Sequence, residues 1–277
     1  CRSCGAFKCG SFAAFGIEGV GIINNADGKQ ERKQPSFFSH IPYYAIITNT
    51  VSIKENLQIL QERIACAARI AGRSPQDIKL VAVTKTVPVD LIEQAIQAGV
   101  TDIGESRVQE AAAKAEILKK KYLNLTWHMI GHLQRNKTWQ ALDIFDIIQS
   151  IDSERLAQKV EEKGKIVPVL LEVKTSDEVT KYGVPVERAI ELLKVLSGFR
   201  FLRVQGLMTV APLTGEARAY FVRLRKLSEE ISNLRLPNIE MKYLSMGMSD
   251  DFETAIQEGS NLIRIGRAIF GTRGGDK

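Results

Sequence analysis

The chain has 277 residues, 44% of them hydrophobic and 25% charged, with a formal net charge of +6. That length suits one large α/β domain or two small ones, with enough apolar material for a real core. Basic residues alternate with acids rather than forming a stripe, and no apolar run approaches the ~18–20 residues that span a bilayer, so neither a nucleic-acid partner nor a membrane is expected.

Of the four cysteines, Cys66 falls in a predicted helix and reads as a small apolar packing residue. Cys1, Cys4 and Cys9 crowd the N-terminus, but no second pair or His-x3-His completes a zinc site, so no metal is expected. So few cysteines in so long a chain do not make a disulfide framework, and the expected setting is reducing and cytoplasmic.

Residues 1–50 hold no helical or alternating period for long. They lack the ordered basic region, apolar region and cleavage site of a signal peptide. No Met precedes Met129. We therefore expect 1–50 to be an irregular extension, or upstream sequence absent from the native product, with Val51 as an alternative start. The functional domain is then 51–277.

From Ser52 the pattern becomes regular. Ile53, Leu57, Leu60 and Ile64 keep the spacing of an amphipathic helix, and Gly72 stands where a C-terminal cap belongs. Leu80–Thr84 is an apolar, β-branched strand of the doubly buried kind. Pro88 starts a helix with Leu91, Ile92, Ala95 and Ile96 on one face, and Gly99 ends it. Strands are then predicted at Asp102–Glu105, Trp127–Gly131, Ile144–Ile151, Val167–Val173, Arg203–Val210, Lys242–Met246 and Asn261–Ile265. Helices are predicted between them, over 107–121, 134–142, 153–163, 186–197, 216–234 and 250–258. Eight strand–helix units in succession point to a single closed (β/α)8 TIM barrel, with the helix at 52–71 as an addition that plugs the bottom or packs outside.

Such barrels keep their chemistry at the C-terminal ends of the strands, often with a phosphate site after strands seven and eight. Lys85 ends the first strand. An amine held there loses its proton more easily than one in water, which suits a Schiff base with an aldehyde. On the strand alone a solvated strand end is the commoner reading. The loops after strands seven and eight carry Ser245, Gly247, Met248 and Ser249, and Gly266. Their glycines admit close approach of backbone N–H groups to an anion, and Ser245 and Ser249 add hydroxyl donors. The alternative is a pair of ordinary βα turns. A lysine and a phosphate cradle on one mouth suit pyridoxal 5′-phosphate, a phosphorylated aldehyde. Arg264 would lie near both, against either the pyridine nitrogen or the phosphate. Met208 either packs on the ring or fills the barrel. His128 reads as a hydrogen-bonded core histidine, and Asp250 and Asp251 as helix caps.

Val81-Ala82-Val83-Thr84-Lys85, Gly104-Glu105-Ser106-Arg107-Val108-Gln109-Glu110, Trp127-His128-Met129-Ile130-Gly131-His132-Leu133-Gln134-Arg135-Asn136-Lys137, Gly206-Leu207-Met208-Thr209, Leu244-Ser245-Met246-Gly247-Met248-Ser249-Asp250-Asp251 and Arg264-Ile265-Gly266 together resemble the motifs of the pyridoxal phosphate homeostasis protein family, also called YggS or PROSC. The resemblance spans about Ser52 to Gly271. It implies a barrel of the alanine-racemase N-terminal-domain type and pyridoxal 5′-phosphate bound to Lys85 as a Schiff base. It also implies a role in intracellular vitamin B6 and amino-acid homeostasis without established catalysis. Amino or keto acids and a regulatory protein are the partners implied, around a monomer. Ser106 replaces the usual Asn of the second motif, so a contact to the cofactor's ring oxygen would need a water. Arg267 replaces the usual Thr or Ser, and either adds charge to the phosphate or points to solvent.

The alternative is an amino-acid racemase-like enzyme. Racemisation needs an acid/base group on each face of the substrate. Fold-relatives that racemise amino acids bring the second group on an added β-domain, and only six residues follow Gly271. Carrier rather than racemase is therefore the expectation.

Overall fold

The computed structural model describes residues 52–176, 178, 182–212 and 216–271. The expectations for 1–50, for Cys1, Cys4 and Cys9, and for a start at Val51 lie outside them.

The first helix, α1 (Ile53–Ile70), opens on a capping box. The Glu55 N–H donates to Ser52 Oγ at 3.2 Å, and Glu55 Oε2 accepts from the Ser52 N–H at 2.8 Å. Beyond its C-terminus, Gly72 adopts φ +67°, the left-handed conformation that glycine tolerates best. Ile53, Leu57, Leu60, Ile64, Ala67 and Ala68 are buried along one stripe. Cys66 lies on the opposite side of the helical wheel and is exposed, so the expected packing role is corrected.

Then follow β1 (Lys79–Val83), α2 (Val89–Gln97), β2 (Asp102–Glu105), α3 (Val108–Lys121), β3 (Thr126–Met129), α4 (Thr138–Ile144), β4 (Ile147–Ile151), α5 (Glu154–Glu161), β5 (Val167–Lys174), a two-residue β6 (Val184–Pro185), α6 (Val186–Leu196), β7 (Leu202–Met208), α7 (Ala217–Leu234), β8 (Ile239–Ser245), α8 (Phe252–Gln257), β9 (Leu262–Ile265) and α9 (Arg267–Phe270). Eight strands pair in parallel in the order β4-β3-β2-β1-β9-β8-β7-β5, and a further β4–β5 pairing closes the ring. This is the expected (β/α)8 barrel. The short β6 hangs on the outer end of β5. Helix α1 packs against α2, α8 and α9, outside the barrel, which decides between the two expected placements.

Two boundaries differ from expectation for physical reasons. The apolar run Ile144–Ile151 reads as one strand, but Leu142 and Ile144 are buried on α4, which continues to Ile144. Periodicity does not separate a helix end from a strand start in so short a run. Strand β8 starts at Ile239, because its first half alternates between half-buried and exposed instead of being continuously apolar. Among the described residues no helix is long and apolar enough to cross a membrane.

Candidate functional site

The registers Ala82↔Ile265 and Ser245↔Leu262 make β8, β9 and β1 consecutive staves. Their C-terminal ends therefore bring Gly247, Gly266 and Lys85 to one rim of the barrel, although they lie far apart in the chain. Ser106 follows β2, and Met208 ends β7, on the same rim.

Lys85 is exposed, on a turn that is pinned on both sides. Before it, Thr84 is buried. Its N–H donates to Gly104 O at 2.9 Å, and its Oγ1 donates to Glu105 Oε1 at 2.7 Å. Its carbonyl accepts from Lys114 Nζ at 2.6 Å. After it, Thr86 has φ +59°, and its N–H donates to Glu110 Oε1. Lys114, itself buried, ties these partners together. Its ammonium lies 2.7 Å from Glu105 Oε1 and 2.6 Å from Glu110 Oε1. Burial pushes the Glu105 carboxyl up, against the hydrogen bond from Lys114. Sequence spacing places Lys114 on a helix; its inward aim shows in α3 packing on β2 and in the ammonium reaching Thr84 O and Glu105.

Ser106 is half-buried, and a Cβ on Gly131 would stand 2.4 Å from its carbonyl oxygen, so the two loops can touch only with glycine at 131. In the loop after β8, Gly247 has φ +94°, and a Cβ there would meet Ala255 Cβ at 2.6 Å. Its carbonyl accepts from the Arg264 N–H at 3.0 Å, which fastens the loop to β9. Asp251 does not cap α8 through its side chain as expected. It bends back to accept from the Met248 N–H at 2.6 Å. Ser249 Oγ accepts from the Ala268 N–H at 3.3 Å, and Asp250 pairs with Arg267. Side chains of this loop thus take the N–H groups of Met248 and Ala268, and no described side chain takes those of Gly247, Ser249 or Gly266.

Arg264 is buried. Its guanidinium donates to Ser245 Oγ at 2.6 Å and to Thr209 O at 2.8 Å. Burial lowers its pKa to about 10, while Glu172 and Asp251 oppose the fall. Met208 is fully buried in the barrel wall.

Behind Arg264 a polar chain crosses the barrel. Ser245 Oγ donates to Gln149 Oε1 at 2.6 Å, and Gln149 Nε2 lies 2.9 Å from His128 Nδ1. His128 Nε2 lies 2.9 Å from Asp102 Oδ1, which Lys79 Nζ meets at 3.0 Å. The directions follow from Gln149. Its oxygen is taken by Ser245, so its amide donates to Nδ1, and the His128 proton sits on Nε2 facing Asp102. Burial alone would raise the Asp102 carboxyl, but hydrogen bonds from His128, Lys79 and Thr101 outweigh it and hold it at about 2. His128 is thus a core histidine with both ring nitrogens engaged. Ser245, expected among the anion donors, instead donates its hydroxyl hydrogen bond to Gln149. Gln149, in the barrel wall, and Asp102, at the start of β2, were not legible as links of this chain, because their partners stand 21 to 96 residues away in sequence and spacing reports only local neighbours.

The alanine racemase N-terminal domain family matches residues 53–274. A pyridoxal phosphate homeostasis protein of Haemophilus influenzae is 37% identical over 229 residues, which cover 80% of this chain and 97% of its own. The chain belongs to this family. A pyridoxal phosphate homeostasis protein of Aquifex aeolicus is 40% identical over 226 residues, 79% of this chain and 97% of its own. Among solved structures, PipY of Synechococcus elongatus with PLP bound aligns at TM-score 0.70 and 34% identity, covering 79% of this chain and all (100%) of PipY. Alanine racemase of Corynebacterium glutamicum aligns at TM-score 0.60 over 78% of this chain and 62% of its own, but at 16% identity it speaks for the fold alone.

Proposed function

We propose that this chain binds pyridoxal 5′-phosphate at the barrel mouth and acts as a carrier or regulator in vitamin B6 and amino-acid homeostasis. The observation that carries the reading is the convergence of Lys85, Gly266 and Gly247 on the ends of three neighbouring strands. The residues fit the group. Gly247 takes a positive φ with α8 packed against it, a turn that a side chain could not make, the N–H groups of Gly247, Ser249 and Gly266 suit a phosphate, and the buried Arg264 guanidinium supplies positive charge behind them. Lys85 is the amine for covalent attachment, on a turn that Lys114, Glu105 and Glu110 hold still. Ser106 stands beside the ring after β2, Met208 fills the barrel wall beneath it at the end of β7, and Met248 shapes the phosphate loop through Asp251. When bound, the cofactor supplies an electrophilic aldehyde and a phosphate dianion. The Arg264 contacts to Ser245 and Thr209 favour a fixed charge in the wall over a mobile clamp. The same reading carries a monomeric, cytoplasmic protein that meets amino or keto acids and a regulatory protein partner.

The test is the visible spectrum of the protein incubated with pyridoxal 5′-phosphate and then desalted. Wild type should retain a visible band that borohydride bleaches, and Lys85→Ala should lose it. An unchanged band in Lys85→Ala would move the attachment to another lysine. No retained band in wild type would end the proposal.

A further inference from the structure

The end of β5 carries a cavity of about 180 Å³, lined by Glu172, Lys174, Thr175, Ser176, Tyr182 and Val210 among its residues. One water needs only ~10–15 Å³, so a small organic group fits. Two buried oxygens of its lining residues, Glu172 Oε2 and Ser176 Oγ, have no hydrogen-bond partner among the described residues. Both side chains belong to residues more than nine-tenths buried, at 9% and 6% exposure. The Thr175 hydroxyl, just beyond β5, is committed, since Thr175 Oγ1 lies 3.0 Å from Thr209 Oγ1.

Charges face Glu172 from several elements. Asp152 stands beyond β4, and Arg264 on β9 already donates to Ser245 and Thr209. Lys174 is on the same strand. Tyr182 stacks on His132 with ring centroids 4.0 Å apart, and His132 Nδ1 pairs with Asp152 Oδ2 at 3.1 Å. Burial first, then Asp152, pushes the Glu172 carboxyl up to about 7, against Arg264.

We propose that this cavity is a binding site for the primary ammonium group of a small molecule, with Glu172 and Ser176 as its acceptors. A carboxyl and a hydroxyl without donors of their own match an ammonium, which carries three N–H donors and no acceptor. The incoming charge neutralises a carboxylate whose Oε2 meets no hydrogen-bond donor among the described residues and which Arg264 alone opposes from its own hydrogen bonds to Ser245 and Thr209. An anion would meet Glu172 and Asp152 with like charge. Below neutrality the ligand stays RNH3+, Glu172 changes from COOH to COO−, and one proton leaves to solvent. The inference stands on this cavity and does not need a bound cofactor.

The experiment titrates propylammonium chloride into the full chain freed of any cofactor, as wild type, Lys85→Ala, Glu172→Gln and Ser176→Ala, by calorimetry in two buffers of different ionisation enthalpy. In Lys85→Ala no amine exchange on a lysine-bound group contributes, so failure here is separate from failure of the spectral test. Binding should be equal in wild type and Lys85→Ala. It should weaken about tenfold from pH 8 to pH 6, with close to one proton released at pH 6 and almost none at pH 8. Glu172→Gln should weaken binding at least tenfold at pH 8 and remove the proton release, Ser176→Ala should weaken it a few-fold, and sodium propionate should not bind. Thermal unfolding confirms that each variant folds; if Glu172→Gln does not, Ser176→Ala and the proton release of wild type decide. Equal binding by folded Glu172→Gln, binding of propionate in place of the amine, or no binding of propylammonium to wild type would each overturn the proposal.

Discussion

Two buried carboxyls stand at strand ends on the same rim, and the protein treats them in opposite ways. Glu105 ends β2 and is met by the Lys114 ammonium and the Thr84 hydroxyl, both at 2.7 Å. Glu172, near the end of β5, has an Oε2 that no hydrogen bond meets among the described residues. Burial raises both. A carboxylate that serves as a strut is surrounded by donors from its own chain. Glu105, through Lys114, fixes the turn that presents Lys85. Glu172 has no such strut among the described residues, and Arg264 opposes its charge without a hydrogen bond to it.

The largest effect should come from breaking the strut. In Lys114→Met, Glu105 stays buried without its cation, and the carbonyl of Thr84 loses its donor. Unfolding in urea should show a loss of about 3–5 kcal/mol, the usual consequence of stranding a buried charge. Adding Glu105→Gln should recover part of that loss, because the double variant no longer buries an unpaired carboxylate. A cost below ~1 kcal/mol for Lys114→Met would mean that the cluster is not a strut, and the contrast with Glu172 would collapse.

Removing the unpaired acid should do the reverse. The Glu172 carboxyl titrates at 4.5 unperturbed and about 7 in the fold. A raised folded value contributes stability below the unfolded value and loses it as pH rises through the folded one. Glu172→Gln should therefore change little at pH 4 and stabilise the protein at pH 8 by about 3 kcal/mol, at ~1.4 kcal/mol per unit. Thermal unfolding across that range measures it. A variant that loses stability at pH 8 would show that the carboxylate has a partner after all.

This contrast was only half legible in the sequence. The barrel could be read because parallel strands buried on both faces announce themselves as apolar runs, and Ser52 with Glu55, Gly72 and Gly99 punctuates the helices between them. Lys85 and the Gly247 and Gly266 loops were placed by architecture: once eight units are counted, strand ends share a rim. Which acid is paired could not be read. Glu105 and Glu172 look alike in sequence, and their difference lies in Lys114 reaching back from α3, while no described donor meets Glu172 Oε2. Cys66 was misread because its type suggested burial, while its angle on the helix set exposure. The chain from Arg264 to Asp102 was invisible for the same reason as the strut: it joins β9, β8, β4, β3 and β2, which no local pattern connects.

That chain is a third case, polar groups paired without a buried charge at each step. Gln149→Leu keeps the volume but leaves the Ser245 hydroxyl without its acceptor and His128 Nδ1 without its donor. Denaturant unfolding should show a loss of about 1–3 kcal/mol, the range for stranded buried polar groups. Nitrogen NMR should find the His128 proton on Nε2 in wild type and a mixture of tautomers in the variant. A single unchanged tautomer would mean that Asp102 alone orients the ring, and that Gln149 is packing rather than a link.

The smallest effect belongs to pairing without burial. Arg267 meets Asp250 at the surface, with side-chain exposures of 43% and 68%. Water and salt screen such a pair, so Arg267→Ala should cost ~0–1 kcal/mol in unfolding free energy. Its position beside Gly266 gives it a second use to be weighed against the first. While Asp250 holds the guanidinium at the surface, removing it should change pyridoxal 5′-phosphate affinity less than about threefold at physiological salt, where charges more than ~8 Å apart are largely screened. A loss above tenfold that shrinks as salt is raised would mean that Arg267 leaves Asp250 for the phosphate. The rim would then hold a charge that changes partner when its ligand arrives, between the fixed strut at Glu105 and the open acid at Glu172.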